Sequence, residues 1–224
     1  MFCDSLFKKQ GKAEKIILSY TMAFILPQTV LVFALKAEML DVFRNVDIKS
    51  HYSLSKRKHL YQVVWQEIPF YMLQTGIGPT SVQHALDVLS LDMNISQIVN
   101  AGTCGSLRDD VFPEDLVVPE QVISQWDKTI QKPANISSNI RTVNTCITVR
   151  NSQNTQEFKS ILIHQFKADI VDMEAWVVLD WAGKHGFPAY VLKCVSDRVG
   201  PQSPVDVKLH LPRCSQTLAE VLLL

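Results

Sequence analysis

The sequence predicts a single α/β domain with a largely buried mixed sheet flanked by helices. Short runs rich in β-branched and aromatic residues alternate with stretches of helical spacing from residue 29 to the end. No repeat, low-complexity tract or domain linker interrupts them. A chain of 224 residues is long enough for one sizeable core.

Each element has a local reason. TVLVFAL (29–35) is apolar and β-branched, as a buried strand requires, and KAEMLDVFRNV then places Met39, Leu40 and Phe43 at helical spacing. LYQVVWQEIPFYMLQTGIG holds two β runs, 60–65 and 70–74, suited to a hairpin. GIGPTSVQHALDVLSL turns through glycines into a helix with Val82, Ala85, Leu86 and Leu89 on one face. SQIVNAGTCGSL reads as a strand ending in a glycine-rich loop, and EDLVVPEQVISQ as a further strand pair. QKPANISSNIRTVNT is polar and loop-like. NTQEFKSILIHQF is a helix and ADIVDM a strand. EAWVVLDWAGKHG is a helix with Ala175, Val178, Trp181, Ala182 and His185 in one stripe, stopped by Gly186. PAYVLKCVSD is the last strong strand, and SQTLAEVLLL closes the chain as an apolar helix-like run. Residues 1–21 are more basic than the rest and read as an N-terminal extension to a domain spanning 22–224.

Bulk properties narrow the chemistry. Hydrophobic content of 47% and charged content of 20% are ordinary for a globular protein. A formal net charge of zero, with no basic stripe, argues against nucleic acid as a partner. IILSYTMAFIL is too short and too polar to span a membrane. Cys3, Cys104, Cys146, Cys194 and Cys214 stand singly, without zinc spacing, as suits reduced thiols in a cytoplasmic protein. A small molecule is the default partner.

In sheets of this kind ligands bind beyond the carboxyl ends of strands. Four such ends carry chemistry: Lys36-Ala37-Glu38, Thr75-Gly76-Ile77-Gly78, Asp172-Met173-Glu174 and Ser196-Asp197. Gly76-Ile77-Gly78 lacks the third glycine of a dinucleotide fingerprint. It reads as a tight turn that also lets Thr75 and backbone N–H groups approach a ligand. AGTCGSL has neither the spacing nor the Gly-Lys pair of a P-loop. Cys104 reads better as a packed thiol than as a nucleophile, since no histidine is marked as its partner. Glu38, Glu174 and Asp197 each follow a buried strand. A lone acid there is usually a helix cap or solvated, but three around one pocket would suit acid–base work.

Taken together, ALKAE, TGIG, VNAGTCGSL…EDLVV, VDMEA and VSD occur in an order and at separations that resemble the nucleoside phosphorylase/hydrolase superfamily, over residues 29 to 200. Within it the chain is most similar to 5′-methylthioadenosine/S-adenosylhomocysteine nucleosidases and to the futalosine/6-amino-6-deoxyfutalosine hydrolases. The resemblance implies a three-layer sandwich whose central mixed sheet is partly barrel-like. It also implies a nucleosidase that releases adenine, with no metal or organic cofactor, as a cytoplasmic homodimer whose shared face could include Trp176 and Trp181. By the same resemblance Glu38 and Asp197 are the catalytic pair: Glu38 activates water, and Asp197 protonates the purine at N7. Glu174 grips the ribose 2′- and 3′-hydroxyls, Met173 lies against the sugar, and Ser196 borders the base. Thr75 replaces a serine near the water, with Gly76 and Ile77 in the same turn, and Lys193 replaces an arginine there. Asp172 is expected to be structural.

Asn100 stands where phosphorylases of the superfamily carry a phosphate-binding arginine, which favours water over phosphate. The purine-stacking phenylalanine is missing near Ser152 and Gln153, with Arg150 and Phe158 as nearby substitutes. The segment 127–145 is shorter than in the family, so the pocket for the 5′ group is expected to be open. That leans towards 6-amino-6-deoxyfutalosine, and hence menaquinone synthesis.

Overall fold

The computed structural model describes residues 24–89, 93–136 and 139–223. The expected extension, 1–21, lies outside them. The apolar runs form β1 (Thr29–Phe33), β4 (Ile68–Gln74), β5 (Gln97–Ser106) and β10 (Ala189–Arg198), with β1 parallel to β4 and β5, and β5 parallel to β10. The antiparallel strands β2 (Asp47–Ser55) and β3 (Lys58–Trp65) extend the sheet beyond β4. At its other end the sheet closes on itself. β5, β10, β6 (Leu116–Ser124), β8 (Arg141–Thr148) and β9 (Ile170–Asp172) form a ring, and β7 (Ile130–Gln131) pairs with β6. The sheet is therefore mixed and partly closed, as expected.

Strand alternation divides the core into layers. Val30 and Val32 of β1 join one cluster, which includes Val82 of helix α2 (Pro79–Leu86) and Val178 of helix α4 (Ala175–His185). Leu31 and Phe33 point the other way, into a cluster with Val42 of helix α1 (Leu40–Arg44) and Leu218 of helix α5 (Ser203–Leu223). Helix α3 (Gln156–Phe166) lays Phe158 and Leu162 against Ile147 and Val149, with Thr155 capping its start.

The structure departs from the sequence reading at polar strands and at one proline. β2 is mostly exposed and carries little apolar signal, because among the described residues it is an edge strand paired only with β3. The supposed loop 131–145 contains most of β8, whose buried Thr145 and Thr148 are satisfied by hydrogen bonds rather than by apolar packing. EDLVVPEQVISQ is one strand, not two. Pro119 sits in β6 where one edge is vacant, between the pairing to β10 at Val117 and that to β7 at Val122. In α1 the buried position is Val42, whereas Leu40 is exposed. Helix α5 begins at Ser203, twelve residues before the apolar run, and contains Pro212. The β3–β4 hairpin turns through Gln66 and Glu67, both at positive φ (45° and 68°), the geometry that matches the strand twist.

Leu218 is fully buried between α5 and the sheet. Leu218→Ala should lower the unfolding free energy by about 2–5 kcal/mol. Leu209→Ala, on the exposed side of the same helix, should change it by less than about 0.5 kcal/mol. Urea denaturation of both variants checks the layering.

Candidate active site

The cleft begins at a fork in the sheet. One edge of β5 is taken by β10 along nearly its whole length. The other is taken by β1 as far as Asn100 and by β9 from Gly105. Between them the edge has no strand neighbour among the described residues. Glu38, which follows β1, fills the gap. Its Oε1 accepts from the Thr103 N–H at 2.8 Å and the Thr103 hydroxyl at 2.7 Å. Its Oε2 accepts from the N–H groups of Ala34 at 3.1 Å and Leu35 at 2.9 Å. Four donors thus occupy the carboxylate's acceptor sites. Gly102 lies directly beneath, and a Cβ there would stand 3.1 Å from Glu38 Oε1.

A second irregularity shapes the opposite side of the cleft. The register between β10 and β5 shifts between Val195 and Asp197, a bulge that turns Ser196 and Asp197 towards the cleft. The Ser196 hydroxyl lies 2.9 Å from Asp197 Oδ1 and 3.3 Å from the Cys104 carbonyl. Burial raises the pKa of Asp197 above the usual carboxylate range, partly offset by the hydroxyls of Ser203 and Ser196.

The third wall is the start of α4. Glu174 is its N-cap residue but makes no capping bond with its side chain. Its Oε1 accepts instead from Gly78 N–H at 2.8 Å, across the cleft. Gly78 has φ +89° and precedes Pro79, the first residue of α2. A Cβ on Gly78 would come within 3.8 Å of Met173 Cε. Burial, reinforced by Asp172, pushes the Glu174 carboxyl up to about 8, while Lys193 and the Gly78 N–H pull it back.

These walls enclose a cavity of about 260 Å³ lined by Glu38, Ile77, Met173, Glu174, Ser196 and Asp197, all expected from the sequence. Three other expected residues do not line it. Thr75 is fully buried, and its hydroxyl is directed at the carbonyls of Phe33 and Gly76. Gly76 makes the turn at φ +76° behind Ile77. Lys193 lies beneath the floor, its Nζ 2.8 Å from Asp172 Oδ2, and both side chains are almost wholly buried.

Two residues outside the expected set contribute. Thr103 holds Glu38, and the glycine-bracketed AGTCGSL was its signal in the sequence. Asp172 receives Lys193 and the first N–H groups of α4. Val149, Val171 and Val199 line the cleft beside Ser152, and no described lining residue is aromatic. Arg150 stacks on Trp126 outside it, and Phe158 is packed in the core. Burial raises the Cys104 thiol well above its ordinary pKa, which disfavours the thiolate a nucleophile needs. Among the described residues no His/Cys/Asp/Glu cluster could hold a metal ion.

Comparison with known proteins gives the family of the chain. The family model for the phosphorylase superfamily matches residues 29–138 and 125–224. The chain belongs to the phosphorylase superfamily. Among solved structures, the superfamily fold recurs in 5′-methylthioadenosine/S-adenosylhomocysteine nucleosidase from Helicobacter pylori. There the TM-score is 0.78 at 18% identity, covering 88% of this chain and 96% of that one. The futalosine hydrolase of Helicobacter pylori gives the same TM-score, identity and coverage. The 5′-methylthioadenosine/S-adenosylhomocysteine nucleosidase from Neisseria meningitidis matches with a TM-score of 0.77 at 13% identity, over 88% of this chain and 96% of that one. At such identities the structures share a fold with this superfamily member. No curated protein matches the chain by sequence.

The raised pKa of Glu174 has a cost in stability. Its pKa is near 8 folded and near 4.5 unfolded, so between those values the folded protein holds a proton that the unfolded chain has released. Stability therefore falls as pH rises through this window. Glu174→Gln removes the penalty. The variant should match the wild type near pH 4.5 and exceed it at pH 8.5, by a few kcal/mol at most. Denaturation at the two pH values checks the sign.

Proposed function

We propose that this protein is a nucleosidase, hydrolysing the N-glycosidic bond of a 5′-substituted adenosine and releasing adenine. The observation that carries this reading is the charge of the cleft. Glu38, Asp172, Glu174 and Asp197 line it, and no described lining residue is a lysine or arginine. A phosphate dianion would find no cation there, whereas water and a neutral nucleoside fit. Lys193, the nearest buried cation, is already paired with Asp172.

The proposed chemistry uses this geometry. Asp197, whose pKa burial raises, gives its proton to adenine N7 as the C1′–N9 bond breaks and its electron pair passes to the base. Water attacks the oxocarbenium-like C1′ and loses its proton to Glu38. The Thr103 hydroxyl is the one donor to Glu38 that can rotate away, since the other three are backbone N–H groups. Ionised Glu174 accepts the two ribose hydroxyls, and these charge-assisted bonds favour its charged form. Met173 supplies a polarizable floor for the sugar. The base lies among the valines and Ser152 rather than on an aromatic ring.

The favoured 5′ group is larger than methylthio, with 6-amino-6-deoxyfutalosine ahead of 5′-methylthioadenosine or S-adenosylhomocysteine. This would place the reaction in menaquinone synthesis. The 260 Å³ cleft falls below the usual size of ligand sites, and it shares Ile77 with an adjoining cavity of about 680 Å³. No helix among the described residues is long and apolar enough to cross a membrane, and the proposal keeps the expected cytoplasmic homodimer. Trp176, edge-on to Trp126 at 5.2 Å, is available for a shared face, whereas Trp181 is core. Light scattering should read twice the monomer mass, and a monomer would remove the dimer from the proposal.

A panel of 5′-substituted adenosines and futalosine-type nucleosides, with and without phosphate, should yield free adenine independently of phosphate. Phosphate-dependent ribose 1-phosphate would show a phosphorylase, and binding without turnover a nucleoside-binding protein. Asp197→Asn should lower kcat by about 10²–10⁴-fold. In the wild type kcat should fall as pH rises through the elevated pKa of Asp197, because the acid must be protonated.

A further inference from the structure

We infer that Lys193 is a positioning residue for the ribose acid, acting through Asp172 to fix the start of α4 and, by its charge, easing the ionisation of Glu174. The inference rests on the proposed role of Glu174.

The geometry begins with a displaced helix cap. An N-cap side chain normally accepts the free N–H groups of the first turn. Glu174 cannot do so, because its carboxylate is turned across the cleft to Gly78. Asp172 takes over that task. Its Oδ2 accepts from Ala175 N–H at 2.8 Å and Glu174 N–H at 3.3 Å. Its Oδ1 accepts the Thr148 hydroxyl at 2.6 Å, and Thr148 Oγ1 in turn accepts Trp176 N–H at 2.9 Å. Three successive N–H groups are thereby satisfied without using Glu174.

This substitution places a second carboxylate beneath the first, with no exposure of its own. A buried carboxylate holds its charge only if it is paired. Lys193 provides the partner at 2.8 Å. Burial alone would lower the Lys193 pKa, but Asp172 and Glu174 outweigh it and the pKa is raised, so the ammonium persists.

The groups facing Glu174 come from every neighbouring element. They are Asp172 on β9, Lys193 on β10, Glu38 after β1 and the Gly78 N–H before α2. The thiols of Cys104 and Cys146, on β5 and β8, are kept neutral by burial. Lys193 is the one cation among them. Without it, two carboxylates act on Glu174 against the Gly78 N–H alone.

The test compares wild type, Lys193→Met, Lys193→Arg, Asp172→Asn and the double variant Lys193→Met/Asp172→Asn. Glu174 is followed directly by carbon-13 NMR of glutamate carboxyls, assigned by the signal lost in Glu174→Gln. In folded Lys193→Met its titration midpoint should rise by about one pH unit or more, and KM at pH 7 should rise about tenfold with a smaller change in kcat. Lys193→Arg should restore both. Should Lys193→Met not fold, Asp172→Asn and the double variant carry the comparison, with the double variant's midpoint expected above that of Asp172→Asn. Unchanged midpoint and KM in folded Lys193→Met, or equal midpoints in that second pair, would overturn the inference. Absence of turnover by the wild type on every nucleoside would instead defeat the functional reading, while the NMR midpoints still decide the role of Lys193.

Discussion

The cleft depends on a stretch of β5 that no described strand pairs along one edge. β1 leaves that edge after Asn100, and β9 reaches it only at Gly105. An exposed backbone donor in such a gap must find an acceptor. Glu38 supplies it, so its carboxylate does for Thr103 what a neighbouring strand would otherwise do. The same fork turns an open sheet into a ring, and the bulge at Ser196 brings Asp197 to the other side of the opening. The proposed water-activating base and the proposed acid are thus held by backbone irregularities in two parallel neighbours.

A second constraint is electrostatic. Glu174 can face the cleft only if another group caps α4, and the available group, Asp172, is itself an acid. The result is a stack of carboxylates that Lys193 partly neutralises from below. Such an arrangement stores free energy, because burial and like charge both oppose ionisation of Glu174. Binding sites commonly trade stability for a group whose charge a ligand can draw out.

Much of the fold was legible in residue pattern. TVLVF, QIVNAG and AYVLKCV are buried on both faces and therefore read as near-continuous apolar runs. Polar strands escaped that reading: β2 because it is an exposed edge, and β8 because Thr145 and Thr148 are buried through hydrogen bonds. Within the cleft, Glu38, Glu174 and Asp197 were visible as acids at strand ends. Thr103 and Asp172 were not assigned there, because each acts by holding another residue. Lys193 was assigned to the cleft and lies under it. A sequence position gives the side chain's type but not which neighbour it will meet.

The sequence by itself determined the α/β alternation, the buried strands, the strand ends that carry charge and the membership that its ordered motifs resemble. Those features are local, set by periodicity and residue type over a few positions. Tertiary structure decided that the sheet closes into a ring, that Glu38 completes an unpaired strand edge, and that the two acids of Asp172-Met173-Glu174 divide their work. One caps a helix over a buried lysine and the other faces the cleft. These outcomes depend on strand register and on contacts between residues up to 96 positions apart, which no local pattern encodes.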